Sequence, residues 1–322
     1  MSRGNLQLAE KITALLDDIT VTDGGLKAEA AGEIHEGSNP QTVARKLGAA
    51  LYQTLHSGRD RPLDVNLRTF RERAFDEALD EATGQRTTAV SGRVLGTDDD
   101  GTLVEFDGLR VRVPHSSVAE GSGDTATVVL PCARPGLSPG FFLASSSRGP
   151  STGGGPLLRL YGRLDDADAA PGVWRELVAF LEDAGVPWRA KISSTRLLYP
   201  RNDAVVVYLP RPAWRVARPC AELLQDTGLL GDGVSPFTHA VTGSVGCAFE
   251  PDDKRPSRRD LSFGQHRTQI FAEALVRHAA QPAGEQEPVT DTIAAAFVDA
   301  GIDPLEPARN LSSPVVDVLR SY

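Results

Sequence analysis

Lysine, cysteine and aromatic residues are scarce in this 322-residue sequence, and each scarcity narrows what the protein can be. Only Lys11, Lys27, Lys46, Lys191 and Lys254 occur, so 29 of the 34 cationic side chains are arginine. Arginine holds its proton at any working pH, whereas a partly buried lysine can lose it. Lys191 is the only lysine between Lys46 and Lys254, which sets it apart. The three cysteines, Cys132, Cys220 and Cys247, are odd in number and far apart. That excludes a disulfide framework and points to the reducing cytoplasm. No Cys/His group has zinc-ligand spacing, so no metal is expected. No apolar run approaches 18 residues, so no membrane span is expected. The opening "MSRGNLQLAEKITALLDD" reads as an amphipathic helix carrying acids, not as a secretory signal, because no continuous apolar stretch follows its Arg.

Charge is unevenly spread. The net charge is −9. Residues 131–218 nevertheless hold eleven Arg and Lys191 against seven acids, or +5, which leaves −14 for the rest. A net acidic chain repels nucleic acid, so no nucleic-acid partner is expected. A small anion held in the basic middle fits better.

The pattern predicts an α+β protein. Residues 1–88 read as a helical N-terminal region: Leu6, Ile12, Leu15, Leu16 and Ile19 recur at helical spacing, as do Val43, Leu47, Leu51 and Leu55 after an Asn39-Pro40 start. A third, charged helix is expected near 68–83. Residues 89–144 switch to period two. There "TLVEFDGLRVRV" (102–113) turns at Asp107-Gly108, and "DTATVVLP" (124–131) adds a strand. Ser/Gly-rich 145–156 reads as a linker or mobile loop, with no Gly-Lys-Ser/Thr of a phosphate loop. Residues 157–322 read as a mixed α+β domain with a central sheet. "LLRLYGRL" alternates Arg159, Tyr161 and Arg163 on one face. Helices are expected over 171–185 and 262–278, the second opened by a Ser262/Gln265 capping box. "DAVVVYLP" is apolar enough to be a central strand.

Candidate chemistry gathers in the basic middle. "GLSPG" (136–140) matches Gly-x-Ser-x-Gly, but Pro139 has no N–H to serve as an oxyanion donor, so it reads as a rigid turn placing Arg134 and Ser138. His266 and Arg267 fall in the first turn of the 262–278 helix. Cations are disfavoured there unless an anion lies between them and the free N–H groups; the competing reading is an ion pair to an acid such as Asp260. The segment "RAKISSTRLLYPRNDAVVVYLPR" (189–211) places Arg189, Lys191 and Ser193 on one strand face. It sets Arg201 and Asp203 at the entry of the next strand, with Tyr208 and Arg211 at its far end. Arg and Tyr offer donors suited to phosphate oxygens, and plain ion pairs suit the same positions. Neighbouring positive charge and desolvation both favour the neutral amine of Lys191, the form that acts as a base or Schiff-base former.

"ARPGLSPGFF", "LYGRL", the segment from Lys191 through "YPRNDAVVVYL", and "SFGQHR" resemble the HopA1 family, named for a bacterial type III effector, over roughly 130–280. The resemblance implies a phospho-Ser/Thr lyase of ribosomal-peptide pathways such as lanthipeptides and thioamitides. Such a lyase works with a separate aminoglycoside-phosphotransferase-like kinase on a phosphorylated precursor peptide, leaving dehydroalanine or dehydrobutyrine, and needs no cofactor. It implies Lys191 as base and Arg201, Arg211, Arg267, Arg163 and Arg134 as phosphate holders. Tyr208 would orient the peptide or donate to the leaving group, Asp203 would position an arginine, and His266 would be the acid, with His239 the other candidate. A non-catalytic peptide- or kinase-binding subunit and an effector-like binder of host proteins remain the alternatives.

Overall fold

The computed structural model describes residues 7–60, 65–106, 108–149, 155–282, 284 and 286–319. Among them are seven α-helices and three antiparallel sheets, a mixed α+β fold. The N-terminal part begins with a short α1 (Glu10–Thr13) and a 3-10 turn. A meander of β1 (Ile19–Thr22), β2 (Lys27–Ala30) and β3 (Glu33–Glu36) follows. The helix expected through Ile19 is therefore shorter. The run Ile19-Thr20-Val21-Thr22 is rich in β-branched residues, which favour extended backbone, and it pairs with β2. Leu6 lies outside the described residues. α2 (Pro40–Leu51) is capped by the Asn39 side chain on Thr42 N at 2.9 Å, with Pro40 at its first position. A single π turn (Tyr52–His56) prolongs it. α3 spans Arg73–Ala82.

The small β region contains β4 (Thr87–Asp98), β5 (Gly101–Phe106), β6 (Leu109–Val113), β7 (Val118–Ser122) and β8 (Thr125–Pro131), in the order β6-β5-β4-β8-β7. β5 and β6 form the expected hairpin, while Asp107 of its turn lies outside the described residues. β9 (Phe141–Ser145) leaves this sheet and becomes an edge of the central one. The "GLSPG" run is a tight turn before β9, with Gly136 and Gly140 at positive φ. Of the Ser/Gly-rich stretch, 150–154 lie outside the described residues. Its first part is packed: Ser146 N donates to Trp188 O at 3.0 Å.

The central sheet also holds β10 (Leu158–Leu164), β11 (Arg189–Ser193), β12 (Arg201–Leu209), β13 (His239–Ala240) and β14 (Val245–Phe249), in the order β13-β14-β10-β12-β11-β9. β12 is interior, and all nine of its residues are buried. Helices cover both faces. α4 (Ala170–Asp183) and α5 (Ala217–Asp226) lie on one face, where Trp174 meets Phe142 edge-on at 6.0 Å. On the other face Tyr161 packs against His56 of the π turn and Phe263 of α6 (Phe263–Ala279), at 5.4 and 5.7 Å. The Ser262/Gln265 capping box of α6 forms. α7 (Val289–Asp299) packs against α6.

Candidate functional site

Pleating sorts the central strands into two faces, and antiparallel register lines the second face up in rows. One row runs Ser145, Arg189, Tyr208, Arg159, Ala248 across β9, β11, β12, β10 and β14. The next runs Leu143, Lys191, Val206, Tyr161, Gly246. A third begins with Phe141 opposite Ser193. Here the ladder is irregular: from Gly162 to Leu164, β10 matches the four-residue step from Val205 to Arg201 on β12. The slip lets Asp203 reach the same side, where it faces His56 Nε2 at 3.7 Å.

The cations collect around two aromatic rings. Lys191 Nζ lies 4.1 Å from the centre of Phe141, and the guanidinium carbon of Arg201 lies 5.1 Å from the same ring. Tyr208 is flanked by the guanidinium groups of Arg159 and Arg189 at 4.8 and 4.9 Å. A cation over a ring face is attracted by the ring's quadrupole. The partners differ, however. Arg159 is ion-paired with Glu250. Arg201 grips Asp203 through Nε and Nη2, the second bond 3.0 Å long, and also donates to Tyr52 Oη at 3.0 Å. Among the described residues Lys191 makes no hydrogen bond or ion pair. It is half-buried, and Arg189 beside it is exposed.

Burial sets the local electrostatics. It is the largest single influence on the Asp203 carboxyl and acts to raise it, but the charge and hydrogen bond of Arg201 together with the neighbouring basic groups lower it more, and the group titrates below the usual range. Burial, with the Asp203 charge, pushes the Tyr52 phenol up to about 12. Burial pushes His56 down to about 4, so its ring is neutral near pH 7; its Nδ1 meets Ser235 Oγ at 3.1 Å.

Arg163 joins this end of β12: it donates to Asn202 Oδ1 and to Asp165, both at 2.7 Å. Arg134 runs along the outer edge of β9, its N–H donating to Leu143 O at 2.8 Å, at the end of the Lys191 row. Arg211 does not join. It is exposed beyond the far end of β12, and that end, Leu209, is already about 26 Å from Arg201 by strand rise, too far for the two to share one phosphate.

Arg267 and His266 are corrections to the expected site. The whole Arg267 side chain is buried, and its donors serve Pro307 O, Arg309 O, Asn310 Oδ1 and His266 Nδ1 at 2.8, 3.3, 2.8 and 2.8 Å. It clamps the C-terminal loop, with no donor turned to an outside anion and no link to Asp260. His266 accepts from Arg267 and meets Asp253 at 3.0 Å through Nε2; burial pushes it down to about 4. His239 is tied to Glu306 at 3.1 Å on the β13 edge.

The residues not anticipated come from the N-terminal part. Tyr52 and His56 reach the mouth of β12 from the π turn, and Arg59 from the segment just after it. Tyr52 and His56 stand four apart, one helical face, which is the only signal the sequence offered. Phe141 follows the "GLSPG" turn directly.

The fold and this face define an α+β protein with a basic site on a sheet, partly closed by helices. The chain belongs to the HopA1 effector protein family, whose model matches residues 132–309. Among solved structures it is similar to the effector protein from Pseudomonas syringae pv. tomato strain DC3000, at 13% identity over 85% of this chain and 91% of that one, TM-score 0.49. It is likewise similar to the effector protein from Pseudomonas syringae pv. syringae strain 61, at 15% identity over 84% and 95%, TM-score 0.46. Among curated proteins, none matches the chain significantly. No helix of the described residues is long and apolar enough to cross a membrane.

Proposed function

We propose that the protein is a phospho-Ser/Thr lyase acting on a phosphorylated precursor peptide made ready by a separate kinase. The observation that carries this reading is Lys191: a half-buried amine, bound to no carboxylate, sharing the Phe141 ring with the guanidinium of Arg201. In the elimination the neutral amine of Lys191 takes the Cα proton of the phosphorylated residue. The C–H electron pair becomes the Cα=Cβ bond. The Cβ–O bond breaks, and phosphate leaves with the electron pair of that Cβ–O bond, giving dehydroalanine or dehydrobutyrine. Arg201, held in place by Asp203 and Tyr52, faces the departing oxyanion, which is where preorganised charge lowers a barrier most. Arg163 and Arg134 border the same region, and Tyr208, wedged between Arg159 and Arg189, borders the peptide path. His266 has no part in this scheme; phosphate departs as an anion.

The test is a purified chain mixed with a synthetic phosphothreonine peptide. Elimination releases phosphate and leaves a peptide lighter by phosphoric acid. Hydrolysis would instead return the hydroxyl, and a binding protein would release nothing. A second reading, an effector-like or kinase-docking binder without chemistry, is favoured by the family's description as effector proteins. Tight binding of the peptide with no phosphate released supports it over the first.

A further inference from the structure

Arg59 is 8% exposed, and its Nη1 is buried with no hydrogen-bond partner among the described residues. Leaving a charged donor buried and unpaired is costly, and proteins seldom keep one without a use. Its position is built. Asn202 N donates to Ser57 O at 2.9 Å, which docks the segment on the first residues of β12. Gly58 stands at φ +64, and a Cβ there would meet the Asn202 side chain at 2.7 Å, so only glycine allows the approach. Arg59 N then donates to Gln53 O at 2.8 Å. This puts Arg59 beside Arg201, Asp203 and Tyr52, whose charges act on it; burial and Arg201 both pull its guanidinium below the usual value. Two buried guanidinium groups thus lie near one carboxylate, Asp203, and only Arg201 is bonded to it.

We infer that Arg59 is a phosphate-binding residue. It would complete with Arg201 a seat for a phosphomonoester, one half supplied by the N-terminal segment and the other by the family-matched region. The inference rests on the lyase reading for the identity of the phosphomonoester, a phosphorylated Ser or Thr side chain, and not for the presence of the seat. The geometry gives the N-terminal part a chemical task, because Arg59 lies outside residues 132–309.

The test compares wild type, Arg59→Met and Arg59→Lys by thermal unfolding and by binding of a phosphothreonine peptide against its unphosphorylated twin. Arg93→Ala, an exposed pair in the small β region, controls for lost charge. Wild type is expected to prefer the phosphopeptide. Arg59→Met should weaken that binding at least tenfold, while melting higher than wild type in phosphate-free buffer, since it removes an unpaired buried charge. Arg59→Lys should keep part of the preference, and Arg93→Ala all of it. Added inorganic phosphate should raise the melting temperature of wild type and not of Arg59→Met. If Arg59→Met melts lower and binds the phosphopeptide as wild type does, Arg59 is only structural and the seat is overturned, with the lyase reading intact. If wild type itself ignores phosphorylation, both fail. Preference without phosphate release leaves the seat standing and sinks the lyase reading.

Discussion

The amine of Lys191 rests 4.1 Å from the centre of the Phe141 ring, and no carboxylate of the described residues forms an ion pair with it. The negative face of the ring attracts the amine and fixes its position beside Arg201 without a hydrogen bond. Lys191→Ala should lower the elimination rate by about 10²–10⁴-fold, the usual contribution of a positioned base. Lys191→Arg should be as slow as Lys191→Ala despite keeping the charge, because guanidinium does not deprotonate. Single-turnover phosphate release measures both. A Lys191→Arg protein at wild-type rate would assign Lys191 to phosphate binding alone.

The Arg201–Asp203 pair makes a prediction about folding rather than rate. Both side chains are buried, and His56 on the carboxylate's other side is neutral near pH 7. Arg201→Ala therefore removes the only cation hydrogen-bonded to Asp203, leaving Arg59 and Lys191 near it but unbonded, a loss of about 3–5 kcal/mol. Urea unfolding should show this, and Arg201→Ala/Asp203→Ala together should recover part of it.

Stability should also fall on mild acidification. His56 and His266 both drop from an ordinary 6.5 to about 4, burial being the largest cause in each. Between those values the unfolded chain binds protons that the folded chain refuses, so stability rises with pH across the window and is lost as pH drops from 6.5 towards 4. Each ring contributes on the order of 3 kcal/mol. Asp203 and Asp253, both held below the ordinary carboxyl value, extend the loss below pH 4. Chemical denaturation at pH 7, 5.5 and 4.5 should show a falling midpoint, with a shallower fall in His56→Gln.

Much of the scaffold was legible because it depends on local rules. Asn39-Pro40 and Ser262/Gln265 are caps made within one turn of chain, and both form. The apolar run 204–209 announced an interior strand. The site was harder. Strand alternation placed Lys191 with Arg189, but no period in the sequence shows that β10 and β12 slip against each other, which turns Asp203 towards His56. Arg59 is separated from Arg201 by over 140 residues, so only tertiary docking reveals the pair. Arg267 misled for the opposite reason. A cation in the first turn of a helix suggests an anion, and the acceptors turned out to be carbonyls of a loop some forty residues downstream.

That loop supplies the last prediction. Arg267 ties α6 to Pro307, Arg309 and Asn310, and Asn310 Nδ2 in turn donates to Glu250 O at 2.7 Å. Glu250 is the ion-pair partner of Arg159 beneath Tyr208. Replacing Arg267 leaves buried carbonyls unpaired and cuts this chain in the middle. Arg267→Met should cost about 3–5 kcal/mol in denaturant unfolding, through several lost charge-assisted bonds. Where the variant remains folded, at low temperature and without denaturant, its KM for phosphopeptide should stay within about threefold of wild type, because no donor of Arg267 reaches the site. A phosphate holder would behave the other way round, with stability little changed and KM raised tenfold or more; that pattern would return Arg267 to the phosphate seat.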